Sequence, residues 1–273
     1  MNETKTSAFL FNIKSNSVNP SPGPGVLDKV NLFCSGHCWQ PDGTLIVVGG
    51  HIKDGEGSDQ ACVFNPESKK WTALEPLPLV KRPKANDPRD TDSFKGRWYP
   101  SALCLSDGAV LCISGSSRNG NPVPIPVIRR NNKWEEVVSH GALNLYPDMQ
   151  LGPDGRVFIA GPQWQSFYLN LTRNDENGRL GGWDSPGNLR RDAGFRDYAS
   201  CVMYEPGKIV YIGGGNDPLP TDKQGSTNGP PTSKAEFIDL NKGDNARWET
   251  LPSMKFPRRH HNGTVLPDGS IGT

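Results

Sequence analysis

PDGTLIVVGG (41–50) decides the fold of this chain: a Pro-Asp-Gly turn, a run of apolar and β-branched residues, then a glycine pair. The pattern returns as SDGAVLCISG (106–115), PDGRVFIAG (153–161) and EPGKIVYIGGG (205–215), and a fifth copy, PDGSIGT, begins at Pro267. A DG or PG turn between β-rich runs signals a hairpin. Each glycine pair is followed, at a longer and variable distance, by a tryptophan: Trp71, Trp134, Trp183 and Trp248. From Gly43 through Gly108, Gly155, Gly207 and Gly269, the turns are 65, 47, 52 and 62 residues apart. That spacing is at or above the roughly 50 residues of a kelch-type propeller blade. A β-sandwich also has short strands at regular intervals, but it gives no reason for turn, glycine pair and Trp to recur in order. The reading is an all-β, kelch-type β-propeller, incomplete, with about four blades and the start of a fifth of an expected ring of about seven.

Composition agrees. The 31 glycines and 25 prolines are about a fifth of the 273 residues, well above the roughly 12% of ordinary chains. Lys+Arg 30 against Asp+Glu 29 leaves a net charge of +1, which gives no footprint for nucleic acid or an anionic membrane. No apolar run reaches the roughly 18 residues of a membrane span. Ala8–Phe11 is too short for a signal-peptide core, so no signal peptide is expected. The six cysteines contain no CxxC and no zinc-like spacing. Cys104 and Cys112 flank one turn and are expected near each other across strands, as free or buried thiols. Residues 1–30, Pro/Ser-rich from Ser15 to Gly25, read as an irregular lead-in, and 31–273 as the partial propeller. The stretches 74–96 and 216–233 read as loop insertions.

Equivalent positions in successive blades lie at one height and radius about the propeller axis. Counting back eight residues from the Asp position of each turn gives Cys34, Tyr99, Tyr146, Tyr198 and His260. All five side chains can ligate a metal or carry a redox change. Each alone has an ordinary explanation: tyrosines pack well at strand starts, and a lone Cys34 is more often a buried thiol than a reactive one. The set is more telling than any member.

At Cys34 and Tyr99 the sequence resembles the galactose oxidase and glyoxal oxidase family of copper-radical enzymes. The matching stretches are FCSGHCWQPDGTLIVVGG (33–50), GRWYPSALCLSDGAVLCISG (96–115), LYPDMQLGPDGRVFIAG (145–161), RDYASCVMYEPGKIVYIGGG (196–215) and RRHHNGTVLPDGS (258–270). Phe-Cys-Ser-Gly and Gly-Arg-Trp-Tyr-Pro are the specific motifs. The resemblance implies a Cys34–Tyr99 thioether radical cofactor, with Tyr99 also a copper ligand, since oxygen and imidazole donors suit copper(II). It implies oxidation of a small aldehyde or primary alcohol by O2 to give hydrogen peroxide, and a secreted protein. Tyr146, Tyr198 and His260 would line the channel without ligating copper. The family's remaining ligands have no counterpart before Thr273, so missing blades and a C-terminal domain are expected in the full-length protein, and this chain alone is expected to be inactive. Ser117 stands where galactose oxidase stacks a tryptophan over the thioether, which leans away from galactose as substrate. The alternative reading is a kelch propeller acting as a non-catalytic binding scaffold. Asn2, Asn170 and Asn262 each open an N-x-Ser/Thr sequon.

Overall fold

The computed structural model describes residues 5–20, 26–84, 87–189, 191, 194–215 and 229–273. Four antiparallel four-stranded sheets follow one another, each with its strands side by side in chain order. The first comprises Gly36–Trp39, Leu45–Val48, Ala61–Asn65 and Lys70–Ala73. The second comprises Ser101–Cys104, Val110–Ile113, Val127–Arg130 and Lys133–Glu136. Asp148–Leu151, Val157–Gly161, Phe167–Asn174 and Leu180–Asp184 form the third. Ser200–Glu205, Lys208–Ile212, Ala235–Asp239 and Glu249–Leu251 form the fourth. A last hairpin pairs Thr264–Val265 with Ile271–Gly272. The chain is all-β, with the meandering sheets of propeller blades.

Each repeated turn joins the first strand of a sheet to the second. The second strand is covered on both faces, which is why its sequence is a continuous apolar run rather than an alternation. Ile46, Val48, Leu111, Phe158 and Ile209 are fully buried there. The recurring tryptophan belongs to the outermost strand, where Trp71 lies opposite Phe64, Trp134 opposite Arg129 and Trp183 opposite Leu169. Trp248 immediately precedes its strand.

The chain divides into two compact units, Met1–Leu145 and Tyr146–Thr273. In the first unit Ile46, Val48 and Ala61 pack with Val110, Cys112 and Val127. In the second, Phe158, Ala160 and Tyr168 pack with Ile209, Tyr211 and Ile238. Both cores therefore join consecutive sheets face to face.

Two local expectations need correction. The 1–30 lead-in is more regular than its composition implies, because Phe9–Asn12 and Ser17–Pro20 form a hairpin and Leu27–Lys29 a short 3-10 turn. Its anchor is Thr6, whose Oγ1 donates to the Val30 carbonyl at 2.8 Å and accepts from Leu32 N at 2.8 Å. The 74–96 insertion is likewise no plain loop: Val80–Lys84 pairs with Asp87–Phe94, while Leu77, Val80 and Phe94 join the core of the first unit. Most of the 216–233 insertion lies outside the described residues. As expected, Cys104 and Cys112 lie near each other, diagonally across one hairpin where they pair with Val110 and Ala102, and all six cysteines are free thiols. No helix among the described residues is long and apolar enough to cross a membrane.

Candidate functional site

The five residues found by counting back from the turns share a backbone state that their sequence does not announce. Cys34, Tyr99, Tyr146, Tyr198 and His260 have φ of 61°, 58°, 47°, 50° and 56°. They are not strand residues; each sits in the left-handed region just before its inner strand. Holding a non-glycine residue there costs on the order of 1–3 kcal/mol and persists only where the surroundings fix it.

Two devices fix it. The first is a backbone bond from one repeat to the next: Tyr99 N donates to the Cys34 carbonyl at 2.8 Å, and His260 N to the Tyr198 carbonyl at 3.0 Å. The second is a buried arginine two residues earlier. Arg97 Nη1 donates to the Ser114 carbonyl at 2.7 Å and Nη2 to the Ile125 carbonyl at 2.6 Å. Arg196 Nη1 donates to the Lys234 carbonyl at 2.9 Å, and its Nη2 is paired with Glu236. Burial pulls both guanidinium groups below their ordinary pKa, Arg196 to about 10. The glycine pairs complete the seat, since Gly50 N donates to the Arg97 carbonyl at 3.0 Å and Gly214 N to the Arg258 carbonyl at 2.9 Å. A side chain at Gly50 or Gly214 would face a backbone already at φ 135° or 94°. The arginines were missed by the sequence reading, although Gly-Arg-Trp-Tyr, Phe-Arg-Asp-Tyr and Arg-Arg-His carry an arginine at the same offset.

In the first unit this seat brings Cys34 and Tyr99 together. Burial pushes the Cys34 thiol up, and the side chains of Tyr99 and Trp98 act against that shift. The Trp98 ring lies on the Tyr99 ring at a centroid distance of 3.9 Å and an interplanar angle of 7°. Trp98 is itself held by reciprocal backbone bonds with Ser116, at 2.7 and 2.8 Å. Its Nε1 is buried without a hydrogen-bond partner among the described residues. Ser117 is buried and occupied in a turn, its Oγ accepting from Asn121 N at 3.2 Å. An aromatic cover on Tyr99 is thus present, supplied by its sequence neighbour.

In the second unit Tyr198 stacks on His260, with centroids 3.9 Å apart and planes at 23°. The Arg259 guanidinium lies 5.3 Å from the Tyr198 ring centroid, and Arg259 Nη2 donates to Asp197 Oδ2 at 2.6 Å. Burial and Arg258 lower the pKa of the neighbouring His261. Tyr146 opens this unit, half-buried, two residues before the inner strand Asp148–Leu151.

As a copper site the described residues are incomplete. No cluster of three or more His, Cys, Asp or Glu able to hold a metal occurs among them, and at the Cys34–Tyr99 junction the phenol is the one oxygen donor of the family type. The pair offers one thiol and one phenol oxygen, and does not by itself make a metal cage.

No protein-family model matches the chain. A WSC domain-containing protein of Arthroderma benhamiae is 27% identical over 67% of the chain. A galactose oxidase of Gibberella zeae is 25% identical over 89% of it, and the aldehyde oxidase GLOX of Vitis pseudoreticulata 24% identical over 56%. The chain spans 20%, 34% and 26% of the lengths of these relatives. A fungal alcohol oxidase of the AA5 family, solved in complex with copper, superposes with a TM-score of 0.74 at 21% identity, over 98% of this chain and 51% of its own. The chain is thus similar along most of its length to a galactose oxidase and over about half of it to an aldehyde oxidase, and it shares its fold with a copper-bound alcohol oxidase.

Proposed function

We propose that this chain is propeller sequence of a copper-radical oxidase, and that Cys34 and Tyr99 form its redox cofactor. The observation that carries the reading is the junction itself: a buried thiol beside a phenol, both in left-handed seats joined by a 2.8 Å backbone bond, with Trp98 lying flat on the phenol. A thioether would form between Cys34 Sγ and the ring carbon beside the Tyr99 hydroxyl. The S–H and C–H hydrogens would leave as protons and electrons, with dioxygen as the acceptor, reduced to peroxide. The sulfur then donates electron density into the ring and makes its one-electron oxidation easier.

Bound copper would supply the second one-electron centre and a position for substrate. Tyr99 would give it one oxygen; the remaining donors are not among the residues described, so turnover is proposed for the protein in which they are present. The chain's own contribution is to hold the phenol, exclude water from its face through Trp98, and keep the thiol within reach. Small aldehydes or primary alcohols are the proposed substrates, with O2 as oxidant, and the proposed location is extracellular.

The test uses the full-length protein, loaded with copper and assayed for peroxide from small aldehydes and primary alcohols. Cys34→Gly and Tyr99→Phe should each abolish most of that activity while leaving the fold intact by circular dichroism. Undiminished peroxide formation in both variants would refute the assignment and favour a scaffold role for the propeller.

A further inference from the structure

The proposed chemistry leaves the sequons unused, and the structure separates them. Asn2 lies outside the described residues. Asn262 stands two residues after His260, the repeat position held elsewhere by Gly36 and Ser200. In those two repeats the position packs inner strands, a Cβ on Gly36 standing 2.7 Å from the Pro100 carbonyl oxygen and Ser200 being 7% exposed, whereas Asn262 is itself exposed. Asn170 is placed differently. It lies in the third strand of its sheet, opposite Gly182, where the register shifts between Asn170 and Asn174. This bulge turns Thr172, Arg173 and Asn174 outward in succession, all exposed. Bulges re-aim side chains in this way.

The sequon is also locally ordered. Thr172 N and Thr172 Oγ1 both donate to Asn170 Oδ1, at 2.9 and 2.7 Å. The carboxamide oxygen is thereby held, and Asn170 Nδ2 has no protein partner among the described residues. It is not among the buried unpartnered atoms either, so it reaches solvent. Across from Asn170, Gly182 has no side chain, and the Arg173 guanidinium lies over it, bonded to Asp184.

We infer that Asn170 is a site of N-linked glycosylation, taking an oligosaccharide from a lipid-diphosphate donor. This rests on the extracellular placement proposed above. In the transfer, Asn170 Nδ2 attacks the anomeric carbon of the donor sugar. A C–N bond forms as the C–O bond to phosphate breaks; the lipid diphosphate leaves with the electron pair, Nδ2 gives up one proton, and nothing is oxidised. The glycan would stand beside Leu180–Asp184, the outermost strand of the third sheet. A bulky, solvated group there would block edge-to-edge pairing with another chain, which open strand edges invite.

The experiment is a peptide map of the protein secreted from yeast behind an added leader. After trimming of the glycan to its first N-acetylglucosamine, the tryptic peptide spanning residues 157–173 should carry that sugar on Asn170. Asn170→Gln and Thr172→Ala should lose it, and Thr172→Ser, which keeps the hydroxyl and the turn, should retain it. Recovery of the peptide only in bare form, from secreted and folded wild type or Thr172→Ser protein, would overturn the inference. Because the leader fixes the compartment, that result is distinct from failure of the placement itself, which would be read as retention of the native protein inside cells.

Discussion

The Cys34–Tyr99 junction in the first unit and the Tyr198–His260 junction in the second share a backbone and differ in side chains. Both use left-handed residues, both carry the repeat-to-repeat N–H···O bond, and both rest on a buried arginine two residues ahead of the tyrosine. In the first junction the residue before Tyr99 is Trp98, which lies flat on the phenol beside a buried thiol. In the second the phenol is flanked by His260 and by the Arg259 cation, itself clamped to Asp197. Taking an electron from a phenol is opposed by a nearby positive charge and favoured by an electron-rich neighbour. The scaffold provides the same seat twice; on the function proposed above, the neighbours decide which seat suits one-electron chemistry.

The arginine seats give the largest way to break this comparison. Replacing Arg196 by Met should cost about 3–5 kcal/mol, because Glu236 would be left as an uncompensated buried charge. Arg97→Met should cost less, about 1.5–3 kcal/mol, since Arg97 bonds carbonyl groups. Urea denaturation of both variants checks the order. Equal losses would mean that the two seats are held by something other than these guanidinium groups. Adding Glu236→Met to Arg196→Met should recover much of the loss.

The repeat was readable in the sequence because its turn, apolar run, glycine pair and tryptophan are each short-range signals with fixed roles. Cys34, Tyr99, Tyr146, Tyr198 and His260 were found by the same register, and the structure gives all five one backbone state. What the register could not show was the sign of φ, because nothing in a tyrosine favours the left-handed region. Trp98 was passed over because side chains adjacent in sequence rarely face each other in a strand; a left-handed residue removes that alternation. The lead-in and the 74–96 insertion were misjudged because their prolines outweighed weak strand patterns whose partners lie close in sequence.

A pH series sharpens the comparison at the second position after each seat. There the first unit has Gly36 and Ser101, whereas the second has Ser200, Asn262 and one ionisable residue, Asp148. Burial pushes the Asp148 carboxyl up to about 6 against the lowering effects of Tyr211, Arg191 and Arg196. A raised acid favours the folded state most below its ordinary value, and that contribution is lost as pH rises through about 6. Asp148→Asn should flatten the acid-side stability profile and stabilise the protein near neutral pH by about 1–3 kcal/mol. Parallel urea curves at about pH 4 and about pH 7 would show it. An unchanged slope would mean that Asp148 titrates as a solvated carboxylate.

Trp98 gives the smallest effect on stability. Trp98→Ala should cost about 1 kcal/mol from the lost stack, and Trp98→Phe less. Its larger consequence would be spectroscopic: in the copper-loaded full-length protein the Tyr99 radical should decay faster in Trp98→Ala than in Trp98→Phe. Equal decay would remove Trp98 from the redox role and leave it as packing.

The most direct measurement is a peptide map of the full-length, copper-treated protein under non-reducing and reducing conditions. The peptides containing Cys34 and Tyr99 should elute as one species, resistant to reductant and lighter than their sum by the mass of one hydrogen molecule. Cys34→Gly should separate them. Recovery of an alkylatable Cys34 thiol and an unmodified Tyr99 peptide from fully copper-loaded protein would contradict the assignment of this junction as a redox cofactor.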